Sequence, residues 1–403
     1  MKLGTTEMAA WSNPFTRSLA VTKNKLDPMD PIPENNDLHR YIEFLQRQLL
    51  TPGWEAFFDP HVMQAWLAKN AGAPNATFQQ YGGATSPVAH LEELVHKFQP
   101  TTAFDSPETQ AIFAPILEKV KRAAEEINLR VHRPIQIVTS TNISPSPAVR
   151  PAGGPHFLFI GLGTSSFCNY WAKAFTAIVK VLEKRNPTRR FASAEEVESA
   201  LRSDPSGVVF AAKLALAYGI YGSLIGFGQV NEPLEHWPYR AQLLDSMEVF
   251  VVGHEFAHLI ADEQVPEFQG ILDVKASRKL EYFCDQLAIQ ISKRYANHED
   301  NFLSFAGLGA ILLFRAMELS EYALERISSI HGRSGLGNTL RYAESQPSGY
   351  PSLTARIDRM KSLAVALTAD DQRQGVADFI EEYDLIASYL VCTLKELLGT
   401  IEP

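Results

Sequence analysis

The chain has few cysteines, no excess of basic residues and no apolar run long enough to cross a bilayer. Its cysteines are widely separated and form no C-x-x-C pair: Cys168, Cys284 and Cys392. This spacing excludes a disulfide scaffold, a zinc ribbon and a redox pair, and it favours a reducing, cytoplasmic location. The net charge is −9 and the sequence has no Lys/Arg-rich block. We therefore expect no nucleic-acid partner.

Neither a membrane span nor a secretory leader is expected. The most hydrophobic stretch, residues 214–230, is uncharged for 17 residues and contains four glycines. A transmembrane helix needs about 20 predominantly apolar residues, so this stretch predicts a buried helix or a pair of helices. Residues 1–15 lack the basic residues and apolar run of a signal peptide.

The length and composition of the chain suit a large helical protein. With 403 residues and 45% hydrophobic content, the chain can bury a sizeable core. Residues 1–36, rich in Pro, Asn, Thr and Asp, predict a flexible arm, and residues 37–130 predict an N-terminal helical region. The first β signals come at Ile135. We predict an α+β fold that is predominantly helical.

The most informative motif is His254-Glu255-Phe256-Ala257-His258, an H-E-x-x-H sequence. On a helix, His254 and His258 lie on one face, where both imidazoles can bind one metal ion. Glu255 points off that face toward a metal-bound water, as the general base of a zinc peptidase does. The flanking residues are apolar on more than one face, so we expect this helix to be buried.

A third metal ligand is predicted on the next apolar-periodic segment, residues 280–291. Glu281 and Asp285 form an E-x-x-x-D pattern there. Glu281 would complete a site of two imidazoles and one carboxylate, which leaves a fourth position for water. Asp285, one turn further on, could accept the second ring N–H of a histidine ligand, and we favour His254. Alternatively, the two acids form an ordinary solvated helix face.

These motifs resemble the gluzincin metallopeptidases, whose third zinc ligand is a glutamate on a later helix. The layout is most similar to the CAAX-prenyl-protease type, which adds a His-Pro segment followed by Arg-Ile. Here Tyr350-Pro351 and Arg356-Ile357 stand in that place, with tyrosine replacing the family histidine. The resemblance implies that Tyr350 and Arg356 stabilise the oxyanion. A surface turn before a helix is the alternative, and His331 is another candidate oxyanion donor.

The resemblance also implies a zincin-like metallopeptidase domain over residues 131–403. This domain would contain the active-site helix, a small β-hairpin or sheet, and a helical insertion near residues 165–240. Residues 135–140 and 157–162 read as two strands of a hairpin. In zincins an exposed strand of this kind binds a protein or peptide substrate as an extended strand.

Together these features predict a zinc-dependent metalloendopeptidase. Zn²⁺ would be bound by His254, His258 and Glu281, with Glu255 as general base. Ligand type does not exclude another divalent metal. Two alternatives stay open: a non-catalytic, zinc-binding regulatory or sensing protein that retains the metallopeptidase fold, and a helical scaffold with an accidental motif. The sequence does not predict the oligomeric state.

Overall fold

The computed structural model describes residues 38–51, 54, 97–98, 102, 104–150, 154–185, 193–228, 230, 232–269, 274–331 and 351–399. In this part of the chain the protein is mostly helical and has one small β-sheet, which confirms the predominantly helical α+β class. The predicted arm, residues 1–36, lies outside the described residues.

Helices and strands follow one another in a simple order. The N-terminal half contains α1 (Leu38–Leu49), α2 (Pro107–Glu126), β1 (Ile135–Thr139), β2 (Ala148–Arg150), β3 (His156–Ile160), α3 (Leu162–Arg185), α4 (Ala194–Ser203) and α5 (Ser206–Tyr221). The C-terminal half contains α6 (Trp237–Gln264), α7 (Val274–Glu299), α8 (Phe302–Phe305), α9 (Leu308–His331), α10 (Leu353–Ala366) and α11 (Asp370–Gly399). Short 3-10 turns, Leu234–His236 and Pro266–Phe268, flank α6.

The sheet has the strand order β1-β3-β2, with β3 in the middle. The predicted hairpin of residues 135–140 with 157–162 is wrong, because β1 and β3 run parallel, with Ile135 opposite His156. Within the Ser-, Pro- and Gly-rich stretch that separates the two predicted strands, residues 148–150 form β2, which pairs antiparallel with β3. The second predicted strand ends at Ile160, and α3 begins at Leu162. Gly161 permits this close junction, since a Cβ there would meet the carbonyl oxygen of Ser140.

Local capping signals determine where several helices begin. Ser106 caps α2, where its side chain accepts a hydrogen bond from the backbone N–H of Thr109. Ser193 caps α4 in the same way, accepting from Glu196. A capping side chain satisfies a backbone donor that has no partner within the helix, so these serines fix the first turns.

Helix α6 occupies the centre of the molecule and packs against α2, α3, α7, α8, α9 and strand β2. One apolar core joins these elements and extends from Phe113 in α2 to Leu394 in α11. The N-terminal helical region and the predicted peptidase region therefore share this core. A smaller apolar cluster on the other face of the sheet joins α1 to β1 and β3 through Ile42, Val138 and Phe157.

Two apolar segments differ in detail from the sequence predictions. The apolar sequence of residues 302–328 favours one long helix, but Gly307, whose φ of 70° lies in the left-handed region, divides it into α8 and α9. Residues 214–230 begin as the second half of α5, which is buried at Leu214, Ala215 and Gly219 but exposed at Ile220 and Tyr221. The helix ends before Gly222 (φ 69°). Among the described helices, none combines the length and apolarity needed to cross a membrane.

Candidate metal centre

Helix α6 brings His254, Glu255 and His258 together inside the protein. The Nε2 atoms of the two imidazoles lie 3.2 Å apart. One ligand atom from each of the three residues lies within 4.8 Å of the others. The i, i+4 spacing accounts for the pairing of the histidines. Glu255 is buried, and both histidines are only partly exposed, so the group forms a recessed site.

Helix α7 places the carboxylate of Glu281 against both imidazoles. Its Oε2 lies 3.4 Å from Nε2 of His254, and its Oε1 lies 3.5 Å from Nε2 of His258. The two helices approach closely because small residues face one another. The position of a Cβ on Gly253 is only 3.6 Å from Cα of Ala288. This contact carries Glu281 to the histidine face of α6.

The spacing of these ligand atoms fits a single small cation. Ligands bound to zinc at about 2.0–2.1 Å and tetrahedral angles lie about 3.3–3.4 Å from one another. The observed separations among His254, His258 and Glu281 are 3.2, 3.4 and 3.5 Å. Two nitrogen donors and one carboxylate also form the ligand set of a catalytic zinc site, which keeps the fourth position for water. The residues therefore fit Zn²⁺.

Asp285 lies one turn after Glu281 and faces the other nitrogen of His254. Its Oδ1 is 3.0 Å from Nδ1 of His254, although the angle at the ring nitrogen is not that of a regular hydrogen bond. This is the histidine that the sequence analysis favoured as its partner. A proton on Nδ1 leaves the lone pair on Nε2 for a metal. Asp285 is fully buried and also accepts two hydrogen bonds from Arg356 of α10.

The pKa values of the two imidazoles are shifted in opposite directions. Burial lowers the pKa of His254, but Asp285 and Glu281 outweigh burial and raise it to about 10. Burial and the charge of His254 lower the pKa of His258 to about 4. Although burial opposes the shift, the two imidazoles hold the pKa of Glu281 well below its usual range. The two acids on α7 therefore favour a charged His254, whereas burial favours a neutral His258.

Burial raises the pKa of Glu255 to about 7, against the opposing effect of His254. A carboxyl with a pKa near neutrality can both accept and donate a proton at physiological pH, as a general acid–base group must. Arg150 at the end of β2 also acts on this carboxyl through its charge. The environment of Glu255 is thus suited to proton transfer.

The remaining predicted residues fall in different places. Arg356 is 9% exposed and faces Asp285 and Glu281. Tyr350 lies outside the described residues, so its predicted role stays a prediction. His331 is the last residue of α9, and its side chain lies outside the described part of the chain.

A second polar cluster, which the sequence did not predict, ties the end of α6 to the sheet; in it the side chain of Glu263 is buried and that of His132 is exposed. Glu263 accepts hydrogen bonds from the backbone N–H groups of His132 and Arg133 and contacts Nε2 of His156 at 2.7 Å. These residues precede β1 or begin β3. Because their partner lies more than 100 positions away, no local pattern in the sequence could have indicated the contact. The cluster fixes α6 relative to the strands.

Comparison of the chain with protein-family models, curated proteins and solved structures gives no significant match. Membership of a family is therefore not shown. The assignment of function has to rest on the geometry of this site.

Proposed function

We propose that the protein is a zinc-dependent metalloendopeptidase with His254, His258 and Glu281 as metal ligands. The observation that carries the proposal is the convergence of three side chains beside the buried Glu255. The two imidazole Nε2 atoms lie 3.2 Å apart, and the two oxygens of the Glu281 carboxylate lie 3.4 and 3.5 Å from them. A purely structural zinc site usually fills all four positions with protein ligands and has no use for an adjacent base. An open fourth position next to a carboxyl is what hydrolysis requires.

Zinc bound by these residues would polarise the scissile carbonyl and lower the pKa of water at its open position. Glu255 accepts the proton of the attacking water. The same carboxyl, now protonated, donates that proton to the nitrogen of the departing amine. Burial raises the pKa of Glu255, which favours its role as a proton acceptor and donor. Asp285 orients the ring of His254 throughout.

The substrate would be a peptide in an extended conformation, lying along β2. The outer edge of β1 is closed, because Gln46 and Gln110 donate hydrogen bonds to the carbonyls of Thr139 and Ile137. Beyond β2 the described sheet has no further strand, and β2 packs against α6. A peptide pairing with β2 would gain backbone hydrogen bonds beside the metal ligands.

This arrangement also supports the zincin-like architecture that the sequence resemblance implies. The active-site helix α6 packs against a sheet whose accessible edge strand is β2, and α7 supplies a carboxylate from a later position. Helices α3 to α5 occupy the place of the predicted insertion near residues 165–240. Helix α3 packs on α6 and α5 packs on α9, whereas α4 packs on α3 and α11.

The proposal is tested by measuring zinc content and peptide cleavage in the purified protein. Wild type should hold one zinc ion per chain, cleave extended peptides, lose activity with a chelator and regain it with zinc. Glu255→Gln should keep the zinc ion and lose activity by orders of magnitude. Glu248→Gln is the matched control, because it changes a buried glutamate on the same helix two turns before the site. This control should retain both zinc and activity.

Cleavage in H₂¹⁸O identifies the reaction directly. Hydrolysis by an activated water places one ¹⁸O atom in the new carboxyl terminus, which mass spectrometry detects. Full activity in Glu255→Gln would refute the assigned base. Stoichiometric zinc without cleavage of any peptide, in wild type and control alike, would instead support the non-catalytic alternative. Absence of bound metal would overturn both.

A further inference from the structure

We propose that Arg356 is a positioning residue that holds the metal ligands in place. This inference rests on the proposed zinc site but not on its catalytic activity. Arg356 reaches the site from α10, more than 70 positions after Glu281. Its guanidinium contacts two acids of the site at once: Asp285 and Glu281.

All three guanidinium nitrogens face these carboxylates. Nε donates to Oδ2 of Asp285 at 2.9 Å, and Nη2 donates to Oδ1 at 2.5 Å. Nη1 lies 3.6 Å from Oε2 of Glu281. Oxygen Oδ1 of Asp285 is also the atom nearest to Nδ1 of His254. Arg356 therefore acts on one metal ligand directly and on a second through Asp285.

Aromatic rings of Phe314 and Phe250 restrict the orientation of the Arg356 guanidinium. The Cζ atom of Arg356 lies 4.3 Å from the centre of the Phe314 ring. Phe314 packs edge-on against Phe250, with ring centres 5.5 Å apart, and Phe250 in turn contacts the ring of His254. A planar cation that packs on an aromatic ring in this way has little freedom to rotate. Two of its N–H groups are bound to Asp285 in this orientation.

Charge explains why the site needs this residue. Glu255, Glu281 and Asp285 are three acids in one buried site, and an unpaired buried carboxylate is costly. Arg356 compensates Asp285 in bidentate fashion, which a lysine cannot do because its ammonium is a single point charge. Removal of the guanidinium should let Asp285 and Glu281 shift, and metal affinity should fall.

The test compares zinc affinity in Arg356→Lys and Arg356→Met, measured by competition with a chromophoric chelator. Loss of a group that orients a metal ligand typically lowers affinity about 10- to 100-fold, and we expect Arg356→Met to fall in this range. Arg356→Lys keeps a positive charge and is therefore less prone to unfold than Arg356→Met. Its loss of zinc affinity should be smaller. Circular dichroism checks that both variants are folded.

Arg359 provides the matched control. It lies one turn further along α10 and also contacts α7, with Nη2 3.4 Å from Oε1 of Gln286 and Cζ 4.9 Å from the ring centre of Tyr282. Neither of these partners is a predicted ligand. Arg359→Met should leave zinc affinity unchanged, so a loss confined to Arg356 separates positioning of the site from general packing between the helices.

Cobalt substitution gives a second measurement that a general loss of stability does not produce. The visible bands of bound Co²⁺ report the coordination of the metal, and we expect the spectrum of Arg356→Met to shift toward that of Glu281→Gln. Wild-type zinc affinity and wild-type cobalt spectra in both Arg356 variants would overturn the proposal. A wild type that binds no divalent metal overturns it together with the metal centre, whereas zinc binding without peptide cleavage refutes only the proposed enzymatic activity.

Discussion

Glu248 predicts an unusual pH dependence of stability. This residue lies on α6, is 7% exposed, and neighbours Cys168 and Asp245. Burial, supported by the charge of Asp245 and opposed by that of Arg240, raises the pKa of Glu248 to about 8. The folded protein therefore keeps this carboxyl protonated at neutral pH, whereas the unfolded chain ionises it near pH 4.5.

The sign and size of the effect follow from proton linkage. A carboxyl whose pKa is raised by folding costs no stability below pH 4.5, and the cost grows as the pH rises from 4.5 to about 8. A shift from 4.5 to about 8, at about 1.36 kcal/mol per unit, sets a ceiling of about 5 kcal/mol. Glu248→Gln replaces the acid with a neutral group of similar shape. The variant should therefore be more stable than wild type above pH 8, by about 2–5 kcal/mol.

The measurement is the free energy of unfolding in urea at pH 4.5, 6, 7, 8 and 9 for wild type and Glu248→Gln. The difference should be small at pH 4.5, grow through neutrality and become constant above pH 8. Glu235→Gln is the control, because Glu235 is exposed just before α6 and carries no burial penalty. A difference between wild type and Glu248→Gln that does not change with pH would refute the reasoning.

Two further predictions concern packing and the second polar cluster. Gly309→Ala should destabilise the protein by about 1–3 kcal/mol in urea unfolding, because a methyl group there would overlap the backbone of Ser246 on α6. Gly375→Ala should instead stabilise the protein by about 0.5–1 kcal/mol, because its methyl group would meet no atom within 4 Å. Equal effects of the two alanines would contradict the packing argument. Glu263→Gln should lower stability at pH 7 by about 2–3 kcal/mol, because a buried acceptor of several hydrogen bonds loses its charge. Although burial opposes the shift, hydrogen bonds from His132, His156 and Arg133 lower the pKa of Glu263 to about 2. The loss of stability caused by Glu263→Gln should therefore shrink as the pH falls from 4.5 to 2. A loss of stability that does not change over this pH range would contradict the prediction.

The features that could be predicted from the sequence depend on residues that lie close together along the chain. The start of α2 follows from Ser106-Pro107, and the convergence of His254 and His258 follows from their spacing on one helix. Glu281 and Asp285 were recognisable for the same reason, since they share one face of α7. In each case the information lies within one or two helical turns.

Features that depend on distant segments were not predictable. The parallel pairing of β1 with β3 depends on β2 taking the far edge of the sheet, and a three-residue strand leaves little periodic signal. The contact of Arg356 with Asp285 joins two helices through residues that are 71 positions apart in the sequence. Gly307 was visible in the sequence, but a single glycine inside an apolar run does not reveal a left-handed φ.

The candidate centre is assembled from three helices, with His254 and His258 on α6, Glu281 and Asp285 on α7, and Arg356 on α10. In the unfolded chain, closing the loops between these segments has an entropic cost, which the packed core offsets by holding the three helices together. The proposed zinc ion would therefore bind most tightly to a chain whose three helices have already packed. A nascent chain that stops before α10 would present the three proposed ligands without Arg356, whose guanidinium contacts Asp285 and Glu281.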